Sequence, residues 1–393
     1  MSNTNMESTQ NDYKVWDEVS RTFDNMGLNT DLLKGVYCYG FNKPSNIQQR
    51  AIVPLYKGHD LIAQSQSGTG KTGAFSIGLL NRINIKNLNL QGLIISPTRE
   101  LVQQTNFVLN SISTKIDINI SEFMGGTEVS EDIKNLKNGC QIAVGTPGRL
   151  FDLIERGALK TNNIITLVID EADQMLAADF KEQIRQIIKN IPQTTQVVVF
   201  SATLTPPVIQ LCQSLMNDPY HILLKNNELT LEGIRQYYVD VNQEKYKFDV
   251  LLDLYQCMNI TSAIIYVNTL KKCDYIYDRL MENKFTVSKL HGKMDQSSRN
   301  KIMKSFRLGQ TRILLTTDLL ARGIDVQQVS LVINFDLPND QENYIHRIGR
   351  TGRYGKKGVA INFLTKEDKT YMESIEKFYS TTIDELPSDL SKL

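Results

Sequence analysis

Ten residues decide the fold of this chain: Ala63-Gln64-Ser65-Gln66-Ser67-Gly68-Thr69-Gly70-Lys71-Thr72. An apolar stretch leads into them and another begins at Phe75, so the pattern predicts a strand, a glycine-containing loop and a helix. Such a loop directs backbone N–H groups toward a triphosphate, and the helix N-terminus adds partial positive charge. We expect residues 65–70 to hold phosphates, Lys71 to meet the β- and γ-phosphates, and Thr72 to bind Mg²⁺, although Ser65 stands where the strict motif has glycine.

Composition limits the class of protein. With 393 residues, the chain is too long for one hydrophobic core, which favours two domains. The formal net charge is +1, so nucleic-acid binding would have to rest on a local groove. The five cysteines form no CxxC pair, which argues against a disulfide framework or a zinc site and favours a reducing compartment. No apolar run approaches about 18 residues and no signal peptide is recognisable, so we expect no membrane span.

Apolar runs followed at once by polar residues recur in both halves of the chain. The runs cover residues 61–63, 93–95, 142–144, 167–169, 197–200, 263–267, 313–315, 331–333 and 359–361. Continuous apolar strands separated by helical stretches predict an α/β fold in which each parallel sheet is covered by helices on both faces. Ligands of such sheets bind beyond the carboxyl ends of the strands, where these polar residues stand.

A polar segment divides the two halves. Residues 225–232 lie between them and are followed by Gly233, which favours a linker. We therefore expect a disordered tail over 1–20, a nucleotide-binding domain over 21–224, the linker over 225–232 and a second domain over 233–393.

Two charged clusters suggest phosphoryl-transfer chemistry. Asp170 follows a buried strand and is suited to hold Mg²⁺, directly or through water, opposite Thr72. Glu171 can orient and deprotonate an attacking water. In the second half, Arg350 and Arg353 lie in an arginine-rich run whose guanidinium groups suit phosphate oxygens. An arginine supplied across a domain interface would complete a site that the first half begins; the alternative is an RNA-backbone patch or a structural arginine cluster.

Taken in order, these motifs resemble those of the DEAD-box RNA helicases of superfamily 2, across nearly the whole chain. The segments that carry the resemblance are Pro44-Ser45-Asn46-Ile47-Gln48-Gln49, Pro97-Thr98-Arg99-Glu100-Leu101, Asp170-Glu171-Ala172-Asp173, Ser201-Ala202-Thr203 and the run from His346 to Arg353. The resemblance implies two tandem RecA-like domains, each a mainly parallel sheet covered by helices on both faces. It also implies RNA-stimulated ATP hydrolysis with ATP and Mg²⁺ as cofactors, and Arg350 and Arg353 as arginine fingers.

The resemblance also assigns the remaining site residues. Adenine and ribose would be held by Phe23, Gln48, Gly323 and Asp325. Hydrolysis would be coupled to RNA through Asp173, Ser201, Thr203 and His346. RNA would be contacted by Pro97, Thr98, Arg99, Gly125, Gly126, Thr146, Pro147, Gly148, Arg149, Gln296, Arg299 and Thr316. These residues lie at strand ends in both halves, so we expect one ATP site between the domains and RNA across the opposite edge.

Three functions remain open at this point. The first is a helicase that separates short RNA duplexes locally, in the branch of the family that acts in translation initiation, to which residues 228–236 and 318–330 are similar. The second is an ATP-locked RNA clamp of the exon-junction type with slow turnover. The third is a P-loop ATPase that moves protein partners without RNA.

The resemblance further implies partners and a compartment. We expect a monomer that binds single-stranded or weakly structured RNA regardless of sequence, a scaffold protein of the initiation-factor type, and no membrane. The ending Ser391-Lys392-Leu393 matches a peroxisomal address, but we interpret it as coincidence and expect a cytoplasmic protein. One departure from the family stands out, because Lys293 occupies a place where the family usually has an acid.

Overall fold

The structure is a computed structural model, and it describes residues 14–65, 68–177, 180–204, 206–223, 234–258, 260–318, 329–351, 358–387 and 389. Within these residues the strands form two sheets of seven. The first sheet contains β1 Leu61–Gln64, β2 Gly92–Ile95, β3 Ile120–Phe123, β4 Ile142–Gly145, β5 Thr166–Ile169, β6 Gln196–Ser201 and β7 Tyr220–Leu223. The second contains β8 Ile234–Asn242, β9 Ala263–Tyr266, β10 Val287–Leu290, β11 Ile313–Thr316, β12 Leu331–Asn334, β13 Gly358–Thr365 and β14 Asp384–Glu385.

The two sheets have the same strand order. The first runs β3-β4-β2-β5-β6-β1-β7 and the second β10-β11-β9-β12-β13-β8-β14. Neighbouring strands are paired in parallel throughout the described residues. Parallel pairing brings the carboxyl ends of all strands to one edge of each sheet, so the polar residues after the apolar runs share an edge. The predicted α/β fold class is confirmed.

Helices cover both faces of each sheet. Those of the first half are α1 Thr30–Cys38, α2 Asn46–Tyr56, α3 Lys71–Arg82, α4 Arg99–Ile112, α5 Val129–Lys137, α6 Pro147–Glu155, α7 Ala172–Ala177, α8 Lys181–Lys189 and α9 Pro206–Leu215. Those of the second half are α10 Lys247–Cys257, α11 Leu270–Glu282, α12 Gln296–Arg307, α13 Gln341–Ile348 and α14 Lys369–Tyr379. Because alternate strand residues point to opposite faces, each sheet separates two apolar clusters: Val198 and Phe200 pack on one side of β6, and Val197 and Val199 on the other.

Capping residues and a proline explain where several helices beside the predicted site begin. Thr98 precedes α4 and its side chain accepts a hydrogen bond from Leu101 N, and Asp295 does the same for Ser298 N at α12. Pro147 opens α6, where its missing N–H costs nothing. Each of these helices therefore starts within a few residues of the end of a strand, at the edge that carries the predicted site.

The predicted tail and linker fall mostly outside the described residues, which exclude 1–13 and 224–233. Residues 14–20 correct the expectation of a disordered tail, because they pack against the first sheet. Val15 forms a parallel bridge with His221, and the Trp16 ring lies edge-on to Tyr220 with ring centroids 5.0 Å apart. Burial of this indole face explains the order of the segment.

Candidate functional site

The phosphate loop joins β1 to α3 and depends on its glycines. Gly68 and Gly70 have φ of 85° and 102°, a conformation that side-chain-bearing residues rarely adopt. A Cβ at Gly70 would also lie 2.8 Å from Nε2 of Gln48. Ser65, the departure from the strict motif, is fully buried, and its hydroxyl is hydrogen-bonded to that of Thr69. The two hydroxyls thus tie the two ends of the loop together.

Lys71 opens α3 and meets the acidic motif. Its Nζ lies 3.1 Å from Oε1 of Glu171, and both side chains are about nineteen-twentieths buried. Glu171, the second residue after β5, has a φ of 49°, an uncommon value for a residue with a side chain. The residue predicted to hold phosphates and the residue predicted to activate water are therefore paired with each other in this structure.

The positive charge near Asp170 does not offset the cost of burying its carboxylate. Burial, together with the charge of neighbouring Glu171, raises the pKa of Asp170 to about 7, and Lys71 only partly offsets this. A buried carboxylate with a raised pKa beside a second carboxylate is an environment that a cation stabilises. Carboxylate and hydroxyl oxygens are the ligands that Mg²⁺ prefers, so Asp170 and Thr72 fit the predicted metal.

Gln48 connects the predicted base-reading helix to the phosphate loop. Its Oε1 accepts a hydrogen bond from the backbone N–H of Ser45, and its Nε2 donates to the carbonyl of Gly70 at 3.2 Å. A change at Gln48 would therefore reach both ends of the nucleotide site.

Phe23, which is predicted to stack on a base, lies in the hydrophobic core of the first half. Phe23 is fully buried and packs edge-on against Tyr37 and stacked on Phe41, so a base could reach it only by displacing core side chains. Phe41 is half-buried, and a Cβ at Gly73 of α3 would lie 2.9 Å from its ring. Phe41 is thus the aromatic residue beside the nucleotide site, and sequence spacing alone gave no sign of it.

Asp173 joins the two halves of the molecule. Its Oδ2 accepts a hydrogen bond from the Thr203 hydroxyl at 2.8 Å and lies 3.2 Å from Nε2 of His346. The Ser201 hydroxyl is 3.3 Å from the backbone N–H of Asp173 and donates to Thr203 O. All four side chains are buried. The four residues predicted to couple hydrolysis to RNA therefore form one hydrogen-bonded cluster across the two sheets.

The arginines of the second half differ in their surroundings. Arg350 is buried, and its Nε donates to the carbonyl of His346, one helical turn away. Arg347, for which no role was predicted, is fully buried and bonds Asp318 and Asn268 at 2.7 and 2.8 Å. Hydrogen bonds from its guanidinium to four partners hold the strand ends of the second sheet together. The sequence signal for this residue was its place in an arginine-rich run. Arg353, Gly323 and Asp325, like Gln66 and Ser67, lie outside the described residues.

Predicted RNA contacts from both halves meet in one place. Arg99 Nη1 donates to Oε1 of Gln296 at 3.1 Å, and Arg299 Nη2 lies 2.7 Å from Oε1 of Glu100. A Cβ at Gly126 would lie 2.7 Å from Arg99 Nη1, and Gly125 is the adjoining residue. Glu100 belongs to the segment Pro97-Thr98-Arg99-Glu100-Leu101 that carries the resemblance, although it is not among the individually predicted RNA contacts.

The remaining predicted RNA contacts fall into two groups. Pro97 and Thr98 precede α4, and Thr146, Pro147 and Gly148 form the start of α6, where a Cβ at Gly148 would meet nothing within 4 Å. Arg149 is held by Thr127 and Asp132. Thr316 is fully buried, and its hydroxyl donates to Leu290 O at 2.8 Å. Its side chain joins the ends of β10 and β11.

Comparison with known proteins follows the two sheets. Residues 45–211 match the family model of the DEAD/DEAH box helicases, and residues 246–355 match that of the helicase conserved C-terminal domain. The described residues contain no helix that is both long and apolar enough to span a bilayer.

Curated relatives and solved structures match nearly the full chain. "ATP-dependent RNA helicase eIF4A" of Yarrowia lipolytica is 54% identical over 378 residues, covering 96% of each chain. "Eukaryotic initiation factor 4A" of Caenorhabditis elegans is 51% identical, covering 96% of this chain and 94% of the relative. The structure of Dbp5 of S. cerevisiae bound to RNA and ADP BeF3 superposes with a TM-score of 0.87 at 38% identity, covering 95% of this chain and 97% of that one.

Proposed function

The chain belongs to the DEAD/DEAH box helicase family, and from this premise we propose that it is an ATP-dependent RNA helicase that separates short RNA duplexes locally during translation initiation. Relatives about half identical over nearly the full length bear the names of an RNA helicase and of an initiation factor. Those names do not favour the RNA-clamp alternative.

One observation carries the proposal: the bond between Asp173 and His346. It joins the acidic motif of the first sheet to the arginine-rich helix of the second at 3.2 Å, with both side chains buried. Such a bond exists when the domains are closed on each other, and closure brings Arg350 into the same region as Glu171. A catalytic site that forms on closure can respond to RNA that spans both domains.

ATP binding would rearrange the charges around Lys71. The β- and γ-phosphates draw Lys71 toward the loop and release the carboxylate of Glu171, which then accepts a proton from the attacking water. Gln48 reads the edge of adenine, and Phe41 stacks on its face. Asp170 and Thr72 would hold Mg²⁺, partly through water, and the ion would supply positive charge to the phosphates.

Arginines of the second domain complete the chemistry. Arg350 and Arg353 neutralise charge that develops on the transferred phosphoryl group, an effect worth about 10³–10⁵ in rate in other phosphoryl-transfer enzymes. Because both arginines lie outside the nucleotide-binding domain, hydrolysis depends on closure.

RNA would bind along the face where Arg99, Gly126, Gln296 and Arg299 meet. Arginine side chains, backbone N–H groups and helix N-termini bind phosphate and sugar rather than base edges, which makes recognition independent of sequence. That a solved relative, Dbp5 of S. cerevisiae, is bound to RNA supports RNA as the ligand. We further propose a cytoplasmic monomer that works with a scaffold protein.

The proposal is tested by the ATPase rate with saturating single-stranded RNA, with single-stranded DNA of the same sequence, and without nucleic acid. A helicase of this type hydrolyses ATP many times faster with RNA. A slow rate that RNA does not raise, with tight RNA retention, would indicate the clamp. A fast rate that ignores RNA would indicate an ATPase that acts on proteins.

A further inference from the structure

A row of buried polar side chains crosses the second sheet next to α13. Asn334 of β12, Asn362 of β13 and Gln236 of β8 stand on three neighbouring strands, and the two asparagines are paired in register. Tyr344 of α13 packs against this row. All four side chains are buried, and a buried amide is stable only when it is hydrogen-bonded.

The hydrogen bonds of the row all run in one direction. Arg347 Nη1 donates to Oδ1 of Asn334 at 3.2 Å, and Nδ2 of Asn334 donates to Oδ1 of Asn362 at 2.8 Å. Nδ2 of Asn362 donates to the Tyr344 hydroxyl at 3.2 Å, and this hydroxyl donates to Oε1 of Gln236 at 2.9 Å. Because a guanidinium can only donate, it fixes the orientation of each amide that follows.

The row attaches α13 to the sheet at two points. Tyr344 and Arg347 are three residues apart, so they lie on the same face of the helix. Arg347 is bonded to the row at β12, and Tyr344 is bonded to it at β13 and β8. Burial raises the pKa of Tyr344, so its hydroxyl keeps the proton that it donates. A helix held at one point can pivot about that point, whereas two anchors on one face fix its direction and its rotation.

Two residues that meet the first domain depend on the orientation of this helix. His346 lies within α13, and Arg350 follows two residues after its end. Nε2 of His346 lies 3.2 Å from Oδ2 of Asp173, and Arg350 Nε donates to His346 O at 3.0 Å. A pivot of α13 would therefore move both side chains relative to the first domain.

We propose that Tyr344 and Asn362 are positioning residues for ATP hydrolysis, which hold α13 in the orientation that presents His346 and Arg350 to the first domain. They act through the helix rather than by contact with nucleotide or RNA. The inference rests on the proposed function, because it takes Arg350 as part of the ATP site. Its consequence is that loss of the Tyr344 anchor lowers turnover while ATP binding to the first domain persists.

A single and a double variant separate positioning from stability. Tyr344→Phe keeps the ring but leaves Oε1 of Gln236 buried without its donor, which should lower the melting temperature. Adding Gln236→Leu removes that stranded acceptor and should restore most of the melting temperature. Thr381, which accepts from Nε2 of Gln236, is half-buried and can bond water instead.

Turnover should not recover in the double variant, because the anchor is still missing. At a temperature where all variants are folded, kcat with saturating ATP and RNA should be about tenfold lower in both, since a misplacement of about 1 Å can cost about 10² in rate. The affinity for a non-hydrolysable ATP analogue without RNA should stay unchanged. Colorimetric phosphate release, analogue titration and thermal melting measure the three quantities.

Leu280→Ala is the matched control for stability. Leu280 is fully buried in α11 and belongs to the apolar cluster on the other face of the second sheet, so this change lowers the melting temperature but should leave kcat unchanged. A kcat that recovers together with the melting temperature in the double variant, or that neither variant lowers, would overturn the positioning role and leave the helicase proposal intact. An ATPase rate that RNA does not raise in the unsubstituted chain would overturn the proposed function itself.

Discussion

The two sheets share one strand order, but the equivalent lysine–acid pairs at their strand ends lie in different electrostatic surroundings. In each, the helix that follows the equivalent strand begins with a buried lysine: Lys71 after β1 and Lys247 after β8. Each lysine meets an acid that follows the equivalent central strand, Glu171 at 3.1 Å and Asp336 at 3.2 Å. The second sheet thus has a lysine–acid pair at the position equivalent to that of the first.

What differs is the charge around each pair. Burial opposes ionisation of Asp336, yet hydrogen bonds from Lys272 and from the N–H of Asn268 hold its pKa below the usual value. Lys272 lies 2.7 Å from it, and no glycine loop precedes α10. The first site combines an acid whose pKa is raised with a glycine loop, and on these two features we base the proposed metal–nucleotide site. The second is neutralised by its own side chains and serves to hold its strand ends in place.

The largest expected effect comes from removing the base of the first site. Glu171→Gln keeps the shape and the bond-accepting oxygen but cannot take a proton from water. We expect ATP binding to persist and turnover to fall by about 10²–10⁴. Titration with a fluorescent ATP analogue, run beside an ATPase assay, separates the two. Normal hydrolysis by this variant would show that another residue activates water.

Replacing the two equivalent lysines should change different properties, ATP affinity for Lys71 and folding stability for Lys247. Lys71→Met should weaken ATP binding by roughly 10–100-fold, since charge-assisted hydrogen bonds are worth about 1.5–3 kcal/mol. Lys247→Met should leave ATP binding nearly unchanged but lower the free energy of unfolding of the second domain by about 3 kcal/mol, because it breaks a buried ion pair. Calorimetric titration and chemical denaturation measure the two quantities. Loss of ATP binding in Lys247→Met would mean that the second pair is also a nucleotide site.

Base reading belongs to the first sheet and should show a smaller effect. Gln48→Ala removes the amide expected to reject guanine and its bond to Gly70, so we expect preference for ATP over GTP to fall by about tenfold. Hydrolysis rates with both nucleotides measure the change. If the unsubstituted chain already uses GTP as well as ATP, Gln48 does not read the base.

The smallest effects, a few degrees in melting temperature, should come from replacing Asp170 and Asp336 with asparagine. The two replacements should depend on pH in opposite ways. The pKa of Asp170 is raised on folding, so its carboxyl costs stability increasingly as pH rises from about 4 to 7. Asp170→Asn should gain stability over the nucleotide-free parent across that window. The pKa of Asp336 is lowered, so Asp336→Asn should be less stable above about pH 4, and the deficit should shrink below it. Parallel melting curves for both variants would contradict the contrast in charge.

Apolar runs predicted the buried strands of each sheet but not the edge strands, nor the half-buried strand β8. β5 and β12 lie in the middle of their sheets and are buried along their whole length. β3 and β10 lie at edges and contain residues such as Glu122 and Lys289, which need only partial burial there. A signal that depends on continuous apolar residues cannot find such strands.

The sequence predicted site residues that belong to a backbone motif. It did not predict residues whose place in the site depends on side-chain contacts with distant parts of the chain. The glycine loop with Lys71, and the coupling residues around Asp173, follow from motif order. The positions of Phe41 and Arg347 do not follow from motif order. The half-buried ring of Phe41 and the hydrogen bonds of the Arg347 guanidinium depend on residues that are distant in the chain.

The central claim is that the two sheets form one catalytic site on closure. Its most direct test is the affinity of a non-hydrolysable ATP analogue, measured with and without saturating RNA, for the unsubstituted chain and for His346→Ala, which removes the partner of Asp173. We expect RNA to raise the affinity by about 5–150-fold, and the analogue to raise RNA affinity by the same factor. In His346→Ala this factor should fall toward one. An affinity for the analogue that RNA leaves unchanged in the unsubstituted chain would contradict a shared site.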